Sequence, residues 1–246
     1  MLDILFARTF FIVAGMLCIT AVATKINRVF ETAFEMWSTF IISFLLLFLL
    51  LGFSGSFPLN IFLVVAFSFV TGWMIGPSIE HFGMKFKLAR YRHEKGITLE
   101  KGENMTLKQM ANFESSFDQG AYHKEWQNII FQAVMGTALA ITATASIVFF
   151  TDIDFSFLEG FLFTGVVVLI AMGIINALFF RSPVFSLIRA YCGAMVFTLY
   201  LLYDFDRLKN HAGDESWSTA VEISVSIYLD IINLFLDLLE ILSEAN

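Results

Sequence analysis

Seven solid apolar runs constrain this chain more than any other feature. They fall at about 9–24, 37–53, 58–79, 126–150, 157–180, 184–203 and 217–242. A helix needs about 20 such residues to cross a bilayer, and the first two runs reach that length by extending into their flanks. Membrane strands would alternate apolar and polar residues, and these runs do not. Of 246 residues, 58% are hydrophobic and 15% are charged, with mean hydropathy +0.76. Soluble domains carry about 45–50% and about 25%, so a soluble domain is excluded. Disorder is excluded more firmly, because low hydrophobicity and high charge are its signature. The expected fold is an all-α integral membrane protein with seven transmembrane helices, one polytopic domain over 1–246.

The formal net charge is −7, from 15 Lys and Arg against 22 Asp and Glu. Residues 212–246 hold seven acids and no Lys or Arg. Elsewhere acids and bases balance, so the whole excess lies at the C-terminal end. Such a field attracts cations and disfavours nucleic acid. The two cysteines, Cys18 and Cys192, lack metal-ligand spacing and read as small buried hydrophobes.

One connection is long. Residues 83–124 form a polar, basic-rich loop between the third and fourth helices and hold eight of the 15 basic residues. It reads as a solvated helical hairpin, with a protein-docking or lipid-headgroup role as the sharper alternative. Counting bases near span ends places this loop, Lys25, Arg28 and Arg181 inside. The N-terminus is then outside and the C-terminus inside. Arg207 and Lys209 vote the other way.

Enzymatic motifs are weak. The GFSGS stretch at 52–56 superficially resembles the serine site of intramembrane rhomboid proteases. A nucleophilic serine needs a base within reach. All four histidines (His81, His93, His123, His211) lie at span ends or in loops. A turn of small residues is the expectation, and the chain is not read as an enzyme. Glu80 with His81, and Glu159 with Asp152 and Asp154, read as interfacial groups. Asn176 and Arg189 read as interhelical hydrogen-bond partners or snorkelling side chains.

The last run is different. Stepped at about 100° per residue, Thr219, Glu222, Ser226, Asp230, Asn233, Asp237, Glu240 and Glu244 share a stripe about 80° wide. One charge at mid-membrane costs about 2.5–3.5 kcal/mol on insertion scales, so the stripe must face the bundle interior or water. No basic residue lies in the same segment. Asp204 and Asp206 end the sixth run, which the short connection makes an antiparallel neighbour of the last. Asp204 approaches Asp230 only if the sixth helix continues past Tyr203 or the last is entered deeply. Two carboxyls close together in low dielectric cannot both ionise easily, so one keeps its proton. Ionised, the pair attracts cations. Ca²⁺ prefers about 6–8 oxygen ligands, so two aspartates with carbonyls and water give transient coordination, suited to passage.

These residues also carry a resemblance. Residues 228–242, YLDIINLFLDLLEIL, closely resemble the C-terminal signature of the Bax inhibitor-1 family, the transmembrane Bax inhibitor motif proteins. LYLLYDFDRL at 199–208 resembles the family's sixth-span ending, and GFLFTGVVVLIAMGIINALFF at 160–180 its fifth span. TGWMIGPSI at 71–79 resembles its third-span motif, which ends in a Gly-Pro break. The resemblance implies a central C-terminal helix ringed by the other six, and a pH-sensitive Ca²⁺ leak. The family's paired aspartates fall on Asp204 and Asp230, as pH sensor and transient Ca²⁺ ligands. Leak-type members can carry a base near the end of the second helix that pairs with the sixth-span aspartate. LLGFSGS at 50–56 has none.

The expected function is therefore a pH-sensitive Ca²⁺ leak channel controlled by protonation of Asp204 and Asp230. Asp206, Asn233, Asp237, Glu222 and Ser226 are secondary residues of the ion path. The alternatives are a proton-coupled Ca²⁺ exchanger, or a non-transporting regulator of a membrane protease or cell-death factor that docks at 83–124. No cofactor is expected, with Ca²⁺ and protons as permeant species. The expected location is a bilayer, taken as a prokaryotic inner membrane.

Overall fold

The computed structural model describes residues 4–97, 112–113 and 119–245. Lys101, Lys108, Glu100, Glu103, Glu114 and Asp118 of the polar loop lie outside the described residues. Among those described, seven helices run through the chain: α1 Ile4–Ile26, α2 Ala33–Gly52, α3 Leu59–Lys95, α4 Gln119–Phe150, α5 Glu159–Ile175, α6 Pro183–Asn210 and α7 Trp217–Ala245. Six stretches have the length and apolar character to cross a membrane, the fifth, Ser156–Phe180, by taking in the short helical turns that flank α5. The exception is α7, which is long enough but carries the acids.

Burial resolves that exception. Val221, Ile223, Ser224, Tyr228 and Leu239 of α7 have no more than trace exposure. The helix packs against α1, α3, α4 and α6. Four helices thus form its walls. In place of a ring of six, α2 leans chiefly on α3 and α5 on α6. Those outer helices turn large apolar side chains outward: Phe48 is 70% exposed and Phe163 68%. In a bilayer these meet lipid.

Tyr228 ties three helices together. Its ring packs edge-on against Phe67 of α3, with centroids 6.1 Å apart. Its hydroxyl lies 2.6 Å from Thr20 Oγ1, which donates to the Ser68 carbonyl at 3.0 Å. The Thr20 proton being so used, Tyr228 is the donor of the first bond.

The α1–α3 contact is built on two glycines at helical spacing. A Cβ on Gly72 would stand 2.5 Å from the Thr20 carbonyl oxygen, and one on Gly76 would overlap the Asn27 carbonyl. Small residues four apart permit such close backbone approach in membranes. The Gly-Pro element does not break α3, contrary to expectation. Pro77 has no N–H to bond the Trp73 carbonyl, and the Asn27 side-chain amide donates to that oxygen instead, at 3.0 Å. The helix therefore runs on for 37 residues to Lys95, about 55 Å, well beyond a hydrocarbon core of about 30 Å. The first part of the basic segment is thus helical. It packs on the start of α4: Phe86 stacks on Trp126 at 6.0 Å, and Arg90 lies 3.8 Å from Glu125.

Candidate functional site

The site lies in the α6–α7 interface. Ser182 caps α6, accepting from Phe185 N at 3.4 Å, with Pro183 in the first turn. The helix continues past Tyr203 to Asn210, which is the condition for Asp204 to reach the last helix. A turn then returns the chain into α7. There Asp214 accepts from Ser216 N at 2.8 Å and from the Thr219 hydroxyl at 2.6 Å. The Thr219 bond, then the Ser216 bond, hold the Asp214 carboxyl below the usual carboxylate range.

The two antiparallel helices keep one register. Arg207 faces Glu222, Asp204 faces Ser226 and Asp230, Gly193 faces Asp237, and Arg189 faces Asp237 and Glu240. The acidic stripe of α7 therefore lies along α6, inside the bundle, as its cost in lipid requires.

At the centre, the carboxyls of Asp204 and Asp230 interact directly, with the Ser226 hydroxyl beside Asp204. Asp204 is 0% exposed and Asp230 6%. Neither oxygen of Asp204, and one oxygen of Asp230, finds a hydrogen-bond partner among the described residues. The nearest base is Arg207, one turn along α6, engaged by Glu222 at 3.4 Å. Asp204 lies six residues from the end of α6, about 9 Å, so the pair sits nearer the α6–α7 turn than the opposite end.

The flanking acids are compensated. Arg189 Nη2 lies 2.8 Å from Glu240 and 3.4 Å from Asp237, and Ser186 donates to Glu240. Glu222 accepts from Ser54 and Ser218, each at 2.9 Å, besides pairing with Arg207. The stripe does not lack cationic partners, as its own segment suggested: α6 supplies them. Sequence reasoning left Arg189 without a carboxylate partner because the α6–α7 register was unknown. Ser54, in the GFSGS turn, has Ser218 and Glu222 as its side-chain partners.

The other polar residues singled out in the sequence have engagements of their own. Asp206, about 200° round α6 from Asp204, accepts from Phe155 N at 3.1 Å and Asn210 Nδ2 at 3.2 Å. It ties the α4–α5 connection to α6. Asn233 donates to the Leu229 carbonyl of its own helix at 2.8 Å. Glu80 pairs with Arg28 at 3.5 Å and Asp152 with Lys209 at 3.8 Å. The Ser156 backbone N–H, 2.8 Å from Asp154, holds that carboxyl below the usual range. Asn176 bonds both backbone groups of Ser182, its Nδ2 donating to the carbonyl at 3.2 Å and its Oδ1 accepting from the N–H at 2.9 Å. Among the described residues no group of three or more His, Cys, Asp or Glu converges as metal ligands.

Known proteins match this chain along the same helices. The profile of the family described as "Inhibitor of apoptosis-promoting Bax1" matches residues 120–246. A Vaccinia virus protein named "Golgi anti-apoptotic protein" is 31% identical over 172 residues, covering 67% of this chain and 65% of its own length. "Protein LIFEGUARD 2" of Arabidopsis thaliana is 36% identical over 119 residues, covering 46% of this chain and 48% of its own. A membrane protein of Vibrio cholerae is 31% identical over 137 residues, 56% of each chain. The chain thus spans between about half and just under two thirds of these relatives' length. The family match takes in α4 to α7, with Asp204, Asp230 and the register that joins them, and the chain is a multi-pass membrane protein of the Bax inhibitor-1 family.

Proposed function

We propose that this protein is a pH-sensitive cation leak, with Ca²⁺ as the permeant ion and the Asp204–Asp230 pair as its controlling element. One observation carries the reading: two facing carboxyls are buried in the bundle, and among the described residues neither has an ion pair and no donor, the neighbouring Ser226 hydroxyl included, meets three of their four oxygens with hydrogen-bond geometry. Stability does not require that arrangement, since a buried charge without a partner is costly.

The chemistry follows from the facing geometry. With one proton shared between them, the two carboxyls attract each other and hold α6 against α7. When that proton leaves, two negative charges meet in a low-dielectric interface. They repel one another and draw in a cation. Two carboxylates and the Ser226 hydroxyl offer fewer oxygens than the roughly 6–8 that Ca²⁺ takes. The ion keeps part of its water and is released readily, as conduction demands. Glu222, Asn233, Asp237 and Glu240 extend the polar face of α7 to either side. The protein uses no cofactor in this reading, and its partners are Ca²⁺, protons and the bilayer. The relative in Vibrio cholerae supports a prokaryotic cell membrane as its location.

The test is Ca²⁺ influx into proteoliposomes across the neutral pH range. Wild type conducts with a steep pH dependence, and Asp204→Asn and Asp230→Asn each abolish that dependence. Unchanged flux and pH response in Asp230→Asn would refute the reading. Flux that requires stoichiometric proton counter-movement would make the protein an exchanger using the same pair. A second reading, regulation of cell death through a docked partner, draws support from the name of the viral relative. It predicts that the cellular effect survives Asp230→Asn and is lost when residues 98–118 are deleted.

A further inference from the structure

Two turns of α7 beyond the central pair lies a second group of buried carboxylates. The Asp237 side chain is 4% exposed and that of Glu240 6%. Asp237 Oδ1 faces Arg189 at 3.4 Å, but Oδ2 is buried with no hydrogen-bond partner. That oxygen is pressed against α6 where Gly193 leaves room, since a Cβ there would fall on the carboxyl. Glu240 takes Arg189 at 2.8 Å and the Ser186 hydroxyl. His81 reaches this end from α3, within electrostatic range of Glu240 and of Lys85 on its own helix. Within the contact cluster two carboxylates meet one guanidinium.

We propose that Asp237, Glu240 and Ser186 form a second cation site in series with Asp204–Asp230, and that the Arg189 guanidinium is its tethered occupant, which a permeating cation must displace. This rests on the cation-leak reading above. The guanidinium is planar and weakly hydrated, so it suits a partly dry interface better than an ammonium. Arg189 is 27% exposed on its side chain, and its partners are almost sealed. The arginine thus stands on the open side of its carboxylates, where it closes the way to them. Buried side-chain acceptors are ordinarily satisfied. Here Asp237 Oδ2 remains unpartnered beside a glycine.

Three variants in the Ca²⁺ influx assay decide the matter. Arg189→Ala removes the tethered cation, and influx rises about tenfold. Millimolar guanidinium lowers it again in that variant and leaves wild type unaffected. The double change Asp237→Asn with Glu240→Gln keeps the arginine but removes its carboxylates, and influx falls below wild type. A merely structural cluster would move both variants in the same direction. Equal or lower influx in Arg189→Ala, or no response to guanidinium, would overturn the proposal. If Arg189→Ala does not fold, the double variant decides alone, and unchanged or raised influx there refutes the site. Arg189→Ala combined with Asp230→Asn separates the two readings. Loss of influx in the combination keeps the path through the central pair. A wild type that shows no influx, or one indifferent to Asp230→Asn, overturns both readings. A wild type that responds to Asp230→Asn but not to Arg189→Ala overturns only this one.

Discussion

Replacing Asp230 by asparagine is expected to stabilise the protein while it removes function. Both oxygens of Asp204 lack a hydrogen-bond partner, and the Asp230 carboxyl is the group beside them. Once the shared proton has left, no donor stands between the two carboxyls; asparagine has nearly the same shape and places a permanent amide N–H there. A hydrogen bond to a charged group is worth about 1.5–3 kcal/mol. At about 2–4 °C per kcal/mol for a chain near this size, Tm rises by about 3–12 °C. Thermal unfolding in detergent at alkaline pH, where the pair has lost its shared proton, followed by fluorescence of the four tryptophans, measures it. Asp206→Asn is the matched control, because Asp206 is equally buried but accepts from Phe155 N and Asn210 Nδ2. There both donors fall on Oδ2, whose place the asparagine carbonyl oxygen takes; the two bonds lose their charge assistance, about 1 kcal/mol each, and gain nothing, so Tm falls. The same chemical change thus has a different sign at two buried aspartates on neighbouring helices. A lower Tm for Asp230→Asn would show that the pair is a satisfied structural contact, and would refute the reasoning independently of any flux measurement.

Two further outcomes follow from groups away from the pair. Asn27→Ala leaves the Trp73 carbonyl without its side-chain donor, at a cost of about 1–3 kcal/mol. A fall in Tm in the same detergent assay checks it, with Pro77→Ala in the same background restoring most of the loss through a new backbone N–H. Asp154 and Asp214 are both held below the usual carboxylate range. Their contribution to stability is present above the ordinary aspartate value of about 3.9 and is lost as pH falls through their depressed folded values. Asp154→Asn with Asp214→Asn therefore flattens the acid limb of Tm against pH, and an unchanged limb would show that these two bonds are not coupled to folding.

The apolar runs made the helices and their order legible, because length and hydropathy act within one segment. The polar stripe of α7 was legible for the same reason: 100° periodicity belongs to a single helix. Facts that belong to two helices were not legible. Arg189 lies 15 residues before Asp204, too far to reach it along one helix, and its carboxylates appear only once the α6–α7 register is fixed. Gly76-Pro77 reads as a break when Pro77 is considered alone. It ceases to be one when Asn27, on another helix, supplies the missing donor. The outer placement of α2 and α5 was also hidden, since a helix apolar all round does not declare which face meets lipid.

Five of the seven acids of residues 212–246 can now be divided by what meets their carboxyls. Asp214 accepts from Ser216 N and the Thr219 hydroxyl, ahead of α7, whose first N–H groups at Ser218 and Thr219 are capped by the Ser216 hydroxyl. Glu222 takes Arg207, while Asp237 and Glu240 share Arg189. Both arginines come from α6, one on either side of Asp204. A helix that supplies a cation at each flank could have supplied one at the centre. Instead it supplies Asp204, a second acid, directly against Asp230. Apolar residues of similar volume at those two positions would be neutral or stabilising by about 1–4 kcal/mol. A bundle that compensates both ends of its polar seam and leaves the middle uncompensated holds a site whose charge is completed from outside, by a proton in one state and by a passing cation in the other.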